Sequence, residues 1–351
     1  MQHLIDICDL SVAQWQQLIE TAGKIAADPA AYRQAAAGKI LATLFYEPST
    51  RTQMSFQTAM LRLGGQTVGF SNPADSSVSK GETVKDTVRV VSGYADVIAM
   101  RHPRPGAALA GAMSSRVPVI NAGDGGHCHP TQTLTDLVTL SYEKGRLEGL
   151  CVGLCGDLAN GRTVHSLLRA LSKFPGNSFI LISTPELALP QTERELLEKA
   201  GCPFEESNDL AAVIDRLDVL YMTRIQQERF ASPEEYQKQK GIFVLDGAKM
   251  RRAKPDMVVL HPLPRVDEIT QEVDDDPRAK YFKQTEYGMY ARMALLLHML
   301  EQKRCDPPAW PHGDARTCGN PRCITQQETY LPTRFVREGS ADVCAYCGAR
   351  L

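Results

Sequence analysis

Eight short runs of this chain are apolar at nearly every position: Lys39–Tyr46, Asp96–Met100, Val117–Ala122, Leu150–Cys155, Ser178–Ser183, Val219–Thr223, Ile242–Asp246 and Met257–Leu260. A strand with one face in water alternates apolar and polar side chains, whereas a strand buried on both faces is apolar throughout. These runs therefore predict strands inside parallel sheets covered by helices. Helical patterns lie between them, at Thr52–Leu63, Val84–Ser92, Arg162–Ser172 and Thr192–Ala200. The alternation predicts an α/β fold of doubly wound parallel sheets. At roughly 100–200 residues per domain, 351 residues predict two such domains and a small appendage. Leu134, Leu137, Val138 and Leu140 recur at helical spacing between Pro130 and Lys144. Met289, Met293, Leu296, Leu297 and Leu300 do the same over Glu286–Gln302, so long helices are expected to join the domains. Pro307, Pro308 and Pro311 then end the helical pattern and mark a linker.

Composition excludes several classes of function. With 39 basic and 41 acidic side chains, the net charge of -2 gives no electrostatic case for nucleic acid or an anionic membrane. No apolar run approaches the roughly 18–20 residues of a membrane helix. Met1–Leu10 lacks a basic start followed by a long apolar stretch, so a cytoplasmic location is expected.

The cysteines divide the chain. Of ten, five precede residue 203 and five fall in the last 47 residues. Cys318-x4-Cys323 and Cys344-x2-Cys347, separated by twenty residues, form two thiol pairs at the spacing of a tetrahedral structural zinc site. So short a tail buries little apolar surface alone, and a metal is expected to hold it. An iron site is chemically open, but four thiolates with no redox partner motif favour zinc.

Polar motifs follow the predicted strands. Glu47-Pro48-Ser49-Thr50-Arg51-Thr52 places three hydroxyls and a guanidinium where a helix should begin, a site suited to phosphate. An ordinary Ser/Thr N-cap beside an exposed Arg is the plainer reading. Ser71–Lys80 reads either as a lid bringing Lys80 to a ligand or as a solvated loop. Arg101 sits at a strand's carboxyl end, where open α/β sheets bind ligands. His129 and Gln132 follow the turn Gly123-Asp124-Gly125-Gly126, and either a carbonyl-polarising site or a structural cap is consistent with them. Arg162, Arg224 and Arg265 follow three later strands, an arrangement suited to a carboxylate-bearing substrate. Gly153-x-Cys155-Gly156 lacks the glycine spacing of a dinucleotide fingerprint.

Seven ordered segments, FYEPSTRTQMSF, SKGETVKDT, MRHPRPGAA, NAGDGGHCHPTQTLTDL, GDLANGRTVHSL, YMTRIQQERF and LHPLPRVDEI, together resemble the catalytic chains of the aspartate carbamoyltransferase family across the first 304 residues. The resemblance implies carbamoyl transfer from carbamoyl phosphate to L-aspartate without a catalytic cofactor. Carried over residue by residue, it implies that Ser49, Thr50, Arg51, Thr52 and Arg101 bind the phosphate. Thr52, Arg101 and His129 would then polarise the carbamoyl carbonyl, and Gln132 would hold its amide. Arg162, Arg224 and Gln226 are expected at the aspartate carboxylates, and the carbonyls of Pro262 and Leu263 at the nitrogens. Ser76 and Lys80 are expected to come from a neighbouring chain of a homotrimer, and Glu47 to pair with Arg162 and Arg229. Ornithine relatives carry a cysteine-bearing HCLP where this chain has His261–Pro264.

The implied domains are residues 1–130 with the returning helix 286–304 for carbamoyl phosphate, and 131–285 for aspartate. A linker at 305–317 leads to a zinc domain at 318–351. The segment CGNPRCIT…CAYC is similar to the zinc domain of the regulatory chain of the same enzyme, without the nucleotide-binding domain that precedes it there. A zinc module fused in cis is thus expected to pack on a catalytic subunit and to offer a route to a higher assembly.

Overall fold

The computed structural model describes residues 3–225, 232–304, 306–307, 313–338 and 341–351. Two compact units emerge: Met1–Leu134 with Met289–Leu351, and Thr135–Gly288.

The first unit opens with α1 (Val12–Ala27), whose Ser11 and Gln14 form a reciprocal capping box. Next come β1 (Ile40–Phe45), α2 (Thr50–Arg62), β2 (Gln66–Phe70), α3 (Val84–Val91), β3 (Val97–His102), α4 (Ala107–Ala112) and β4 (Val119–Asp124). The four strands form a parallel sheet in the order β2-β1-β3-β4. The chain winds outward from β1 to β2 and then crosses to β3, so the switch point lies between β1 and β3. Strands β1, β3 and β4 are buried almost throughout, as their apolar runs require. Helix α4, built from Ala, Leu and Gly, packs closely: a side chain on Gly111 would come within 3.0 Å of Met100 Sδ.

The second unit's boundaries fall within α5 (Pro130–Lys144) and α11 (Tyr281–Leu300), the two long helices expected from periodicity. Between them run β5 (Cys151–Cys155), α6 (Arg162–Leu171), β6 (Ser178–Ile182), α7 (Gln191–Ala200), β7 (Phe204–Ser207), α8 (Leu210–Val213), β8 (Val219–Met222), α9 (Pro233–Gln239), α10 (Gly247–Arg252) and β9 (Val258–Leu260). Their sheet is also parallel, five-stranded, in the order β7-β6-β5-β8-β9, with its switch point between β5 and β8.

Several expectations change. The strand expected to stop at Met100 runs on to His102, so Arg101 lies within β3. Ile242–Asp246 forms no strand: only Leu245 bridges, to Ile269, and Leu245 N–H donates to Glu268 O. Edge strands β2 and β7 were not expected, because half or more of their residues are exposed.

The cysteine tail belongs to the first unit. It contains an antiparallel hairpin of β10 (Phe335–Glu338) and β11 (Ala341–Cys344). All four cysteines share a buried cluster with Val84, Val88, Ala107, Ala110 and Met113 of α3, α4 and the turn after it. Ile324, Leu331 and Tyr346 fill it from the tail side.

Candidate active site and metal cluster

At the first sheet's carboxyl edge, strand pairing brings two motifs together. Phe45, the last residue of β1, stands opposite Arg101 of β3, and Tyr46 N–H donates to Arg101 O at 2.8 Å. The chain then turns at Glu47-Pro48 and begins α2. Ser49 is the N-cap residue, yet its side chain makes no cap bond; its Oγ donates instead to Thr52 Oγ1 at 3.1 Å. Among the described residues no side chain caps the start of this thirteen-residue helix, which favours an anion there.

Arg101 supplies the matching cation. It is 8% exposed, and its contacts are long: Nη1 to Ala122 O at 3.4 Å and Nη2 to Glu47 at 3.5 Å. Its Nε has no hydrogen-bond partner among the described residues. Burial pulls the Arg101 pKa down, partly offset by Glu47. Burial and then the charge of Arg101 do the same to Arg51. Two neighbouring guanidiniums, one of them buried and under-bonded, fit a multiply charged anion.

Strand β4 delivers the third motif. Asp124, fully buried, accepts from Gly106 N at 2.7 Å, Asn121 Nδ2 at 2.9 Å and Cys128 N at 3.2 Å, and His127 Nδ1 lies 3.2 Å away. This hub shapes the turn that sets His129, 5% exposed, just before α5. Thr131 Oγ1 lies 3.4 Å from His129 Nδ1, and Gln132 N–H donates to His129 O. Ser76 and Lys80 lie on two short 3-10 turns, where Ser76 Oγ donates to Pro73 O at 2.8 Å and Lys80 stands exposed.

In the second unit the corresponding edge carries arginines. Arg162 opens α6 after β5, and Arg224 follows β8, the strand across the switch point. Thr223 ties the two strand ends, accepting from Asp157 N at 3.1 Å and donating to Cys155 O at 3.2 Å. Only glycine fits at 156: its φ is +119, and a Cβ would come within 2.5 Å of Thr223 O. Arg265 is committed elsewhere, to Asp274 and Tyr281, and does not join Arg162 and Arg224 as a carboxylate ligand. Gln226 and Arg229 lie outside the described residues.

The Pro262-Leu263 segment is held by a brace that motif reading missed. Leu263 N–H donates to His261 Nδ1 at 2.8 Å, which puts the imidazole proton on Nε2, 2.7 Å from Glu268 Oε1. Glu268 Oε2 accepts from Val266 and Asp267 N–H. Burial pushes the Glu268 carboxyl up, but hydrogen bonds from His261 and Val266 outweigh it and leave the group below its ordinary value. Leu263 takes φ +53, uncommon for a leucine, so its carbonyl direction is set by the surrounding structure. His261 N–H donates to Gln284 Oε1, whose Nε2 donates to Asp136 Oδ1 at 2.6 Å; Tyr221 OH completes that carboxylate at 3.0 Å. Only the spacing of Glu268, seven residues after His261, hints at the brace in the sequence.

The four tail cysteines form one cluster, with ligand atoms all within 4.8 Å of each other. A metal with bonds of about 2.3 Å to sulfur spaces tetrahedral sulfurs at roughly 3.8 Å. Cys318 and Cys347 sulfurs are 3.5 Å apart, and those of Cys323 and Cys344 3.9 Å, so the residues fit a tetrahedral ion. Asn320 N–H and Thr325 Oγ1 donate to Cys318 and Cys323 sulfurs, as partners of thiolates do. Hydrogen bonds from Cys344 and Cys347 hold the Cys323 thiol below its ordinary value, while Cys323 pushes both neighbours up. A divalent cation displaces the protons that such a cluster otherwise retains.

Residues 2–142 match the carbamoyl-P binding domain of aspartate/ornithine carbamoyltransferases, and residues 148–299 match the Asp/Orn binding domain. The chain belongs to the aspartate/ornithine carbamoyltransferase family. Among similar carbamoyltransferases, the aspartate carbamoyltransferase catalytic subunit of Lachnoclostridium phytofermentans is 56% identical over 301 residues, 86% of this chain and 98% of that protein. The corresponding subunit of Clostridium perfringens is 57% identical over 300 residues, covering 85% and 98%. A solved catalytic subunit of M. jannaschii aspartate transcarbamoylase superposes with a TM-score of 0.81 at 47% identity, covering 86% of this chain and 98% of that one. The Trypanosoma cruzi enzyme, solved with N-(phosphonacetyl)-L-aspartic acid, gives 0.79 at 39% identity, covering 84% and 95%. The parallel-sheet α/β architecture expected from the apolar runs is that of these carbamoyltransferases. The matched domains end at residue 299, before the four-cysteine cluster. No helix among the described residues is long and apolar enough to cross a membrane.

Proposed function

We infer that this chain is an aspartate carbamoyltransferase. It transfers the carbamoyl group of carbamoyl phosphate to L-aspartate, giving N-carbamoyl-L-aspartate and phosphate, an early step of pyrimidine synthesis. The observation that carries the reading is the buried, under-bonded guanidinium of Arg101 beside Arg51 and the uncapped start of α2. The Trypanosoma cruzi relatives solved with carbamoyl phosphate and aspartate support the same substrate pair.

The phosphate is held by Ser49, Thr50, Arg51, Thr52 and Arg101, with Ser76 and Lys80 reaching over from a neighbouring chain of a homotrimer. Lys80 is exposed and makes no ion pair among the described residues, which suits a donor to another chain's site. Thr52, Arg101 and His129 polarise the carbamoyl carbonyl, and Gln132 takes its amide. Arg162, Arg224 and Gln226 take the two carboxylates of aspartate, while Pro262 and Leu263 present carbonyls to the nitrogens. Residues 1–130 with 286–304 serve carbamoyl phosphate, and 131–285 serve aspartate.

The neutral amine of aspartate attacks the carbamoyl carbon and forms the new C–N bond. Negative charge gathers on the carbonyl oxygen, the C–O bond to phosphate breaks, and the amine proton leaves on the departing phosphate. Donors fixed in advance around that oxygen are worth about 2.7–4 kcal/mol each. Orienting both reactants is worth roughly 7–11 kcal/mol more. No step needs a cofactor. The cysteine cluster holds zinc in a structural role, with Cys318, Cys323, Cys344 and Cys347 as its ligands, and a linker at 305–317 joins it to the catalytic domains.

Purified full-length chain incubated with carbamoyl phosphate and either aspartate or ornithine tests the reading by ureido product. Carbamoyl-aspartate is expected, with ornithine inert. Turnover of ornithine alone, or of neither amine, overturns it.

A further inference from the structure

We propose that the metal module is a clamp on the loops of the phosphate site, and that Glu328 is a positioning residue that fixes the hinge through which the Lys80 lid joins α3. The proposal rests on the reading that Lys80, Arg101 and His129 serve carbamoyl phosphate.

The start of α3 is capped mostly from outside its own neighbourhood. The Oγ1 of Thr83, its N-cap, accepts from Asp86 N at 3.1 Å. The preceding two amides find acceptors on the tail: Val84 N–H donates to Glu328 Oε1 at 3.3 Å, and Lys85 N–H donates to Tyr330 OH at 3.1 Å. These partners are 244 and 245 residues away in the chain. Glu328 is buried, and its charge at a helix start is favourable both to the dipole and to the free amides. Val84 and Val88 seal the contact from the apolar side. Val84 comes four residues after Lys80, so the lid leaves the sheet at Phe70 and returns at a point the tail holds.

The same module grips the other two loops. Ile324 N–H donates to Pro105 O at 3.0 Å, four residues after Arg101. Tyr346 lies so close to Gly106 that a side chain there would come within 2.5 Å of Tyr346 Cβ. Gly106 in turn donates to Asp124, the hub of the turn before His129. A side chain on Gly348 would lie 3.6 Å from the His127 ring in that turn. The three loops that carry Lys80, Arg101 and His129 therefore each meet the tail within a few residues of the functional side chain. A segment too small to hold itself together keeps those grips only while its metal is bound.

Glu328→Ala and Glu328→Gln separate acceptor from bulk, because glutamine keeps an oxygen where Oε1 accepts. In Glu328→Ala, amides of residues 73–86 are expected to exchange with deuterium at least 10-fold faster. The KM for carbamoyl phosphate should rise about 3- to 10-fold with kcat changed less than 2-fold, while bound metal stays at the wild-type ratio. Glu328→Gln should restore both readouts to within 2-fold of wild type. If Glu328→Ala loses metal or does not fold, Tyr330→Phe, which removes the acceptor for Lys85, serves with the same readouts. Unchanged exchange over 73–86 and an unchanged KM in the metal-loaded variant overturn the clamp, as does a glutamine variant indistinguishable from alanine. Should the wild type not turn over carbamoyl phosphate, the functional reading falls, while deuterium exchange still decides the clamp.

Discussion

Gly106→Ala places one methyl group at the contact between the metal module and the catalytic unit. Gly106 has φ +87, a conformation that costs an alanine about 1–2 kcal/mol. Its new Cβ would also lie 2.5 Å from Tyr346 Cβ, 2.7 Å from Tyr346 O and 2.8 Å from Tyr346 C. Two of those atoms are backbone of the Cys344–Cys347 knuckle, which cannot swing aside as a side-chain tip does. Forced overpacking adds about 1–3 kcal/mol, so the total is about 2–5 kcal/mol. If the module folds only when docked and metal-bound, that strain appears as weakened metal retention, about 30-fold or more at 1.4 kcal/mol per tenfold. Competition with a chromophoric chelator reads the change directly. Gly145→Ala is the control: φ is +67, but no atom lies within 4 Å of its Cβ. It should lose about 1–2 kcal/mol of stability and keep the metal as wild type does. Equal metal affinity in both variants would refute the coupling between docking and metal.

Arg101→Ala should lower kcat by about 10²–10³-fold without shifting the thermal midpoint by more than a few degrees; near-normal turnover removes its role at the carbonyl and phosphate. Mixing Arg101→Ala chains with Lys80→Ala chains should restore part of the activity in verified mixed trimers, and no recovery argues for self-contained sites. Glu268 has a carboxyl held below its ordinary value of 4.5, so its share of stability is complete above pH 4.5 and fades as pH falls through the lower folded value. Glu268→Gln should accordingly be less stable than wild type near pH 7 in denaturant titrations, with the gap narrowing below pH 4.5; a gap that widens in acid contradicts the brace. Cys344→Ser should leave no stoichiometric metal by elemental analysis, and retention of one ion per chain excludes the four-sulfur site.

Much of the fold is legible because burial on both faces leaves an unmistakable trace. Cys151–Cys155 has no charged or strongly polar side chain, and Ile40–Phe45 is interrupted only by Thr43. Gln66–Phe70 and Phe204–Ser207 sit at sheet edges, where exposed residues dilute the pattern below recognition. Ile242–Asp246 shows the opposite error: Phe243 and Leu245 are buried, but burial alone does not recruit a segment into a sheet when its neighbours make loop contacts. The polar motifs were findable because each follows a strand, and strand ends are where such sheets gather ligands. What holds those motifs was not. The bond from Val84 to Glu328 joins residues 244 apart, and no local spacing records it. Arg265 follows a strand as Arg162 and Arg224 do, and only the fold brings it to Asp274 and Tyr281.

The four cysteines are not hung beside the catalytic chain; they sit in the same oily interior as Val84, Val88 and Met113. Stripping the ion should consequently do more than unravel a tail. It should bare a greasy patch on the parent body, so that chelated protein turns sticky and clumps well before the two parallel sheets themselves melt.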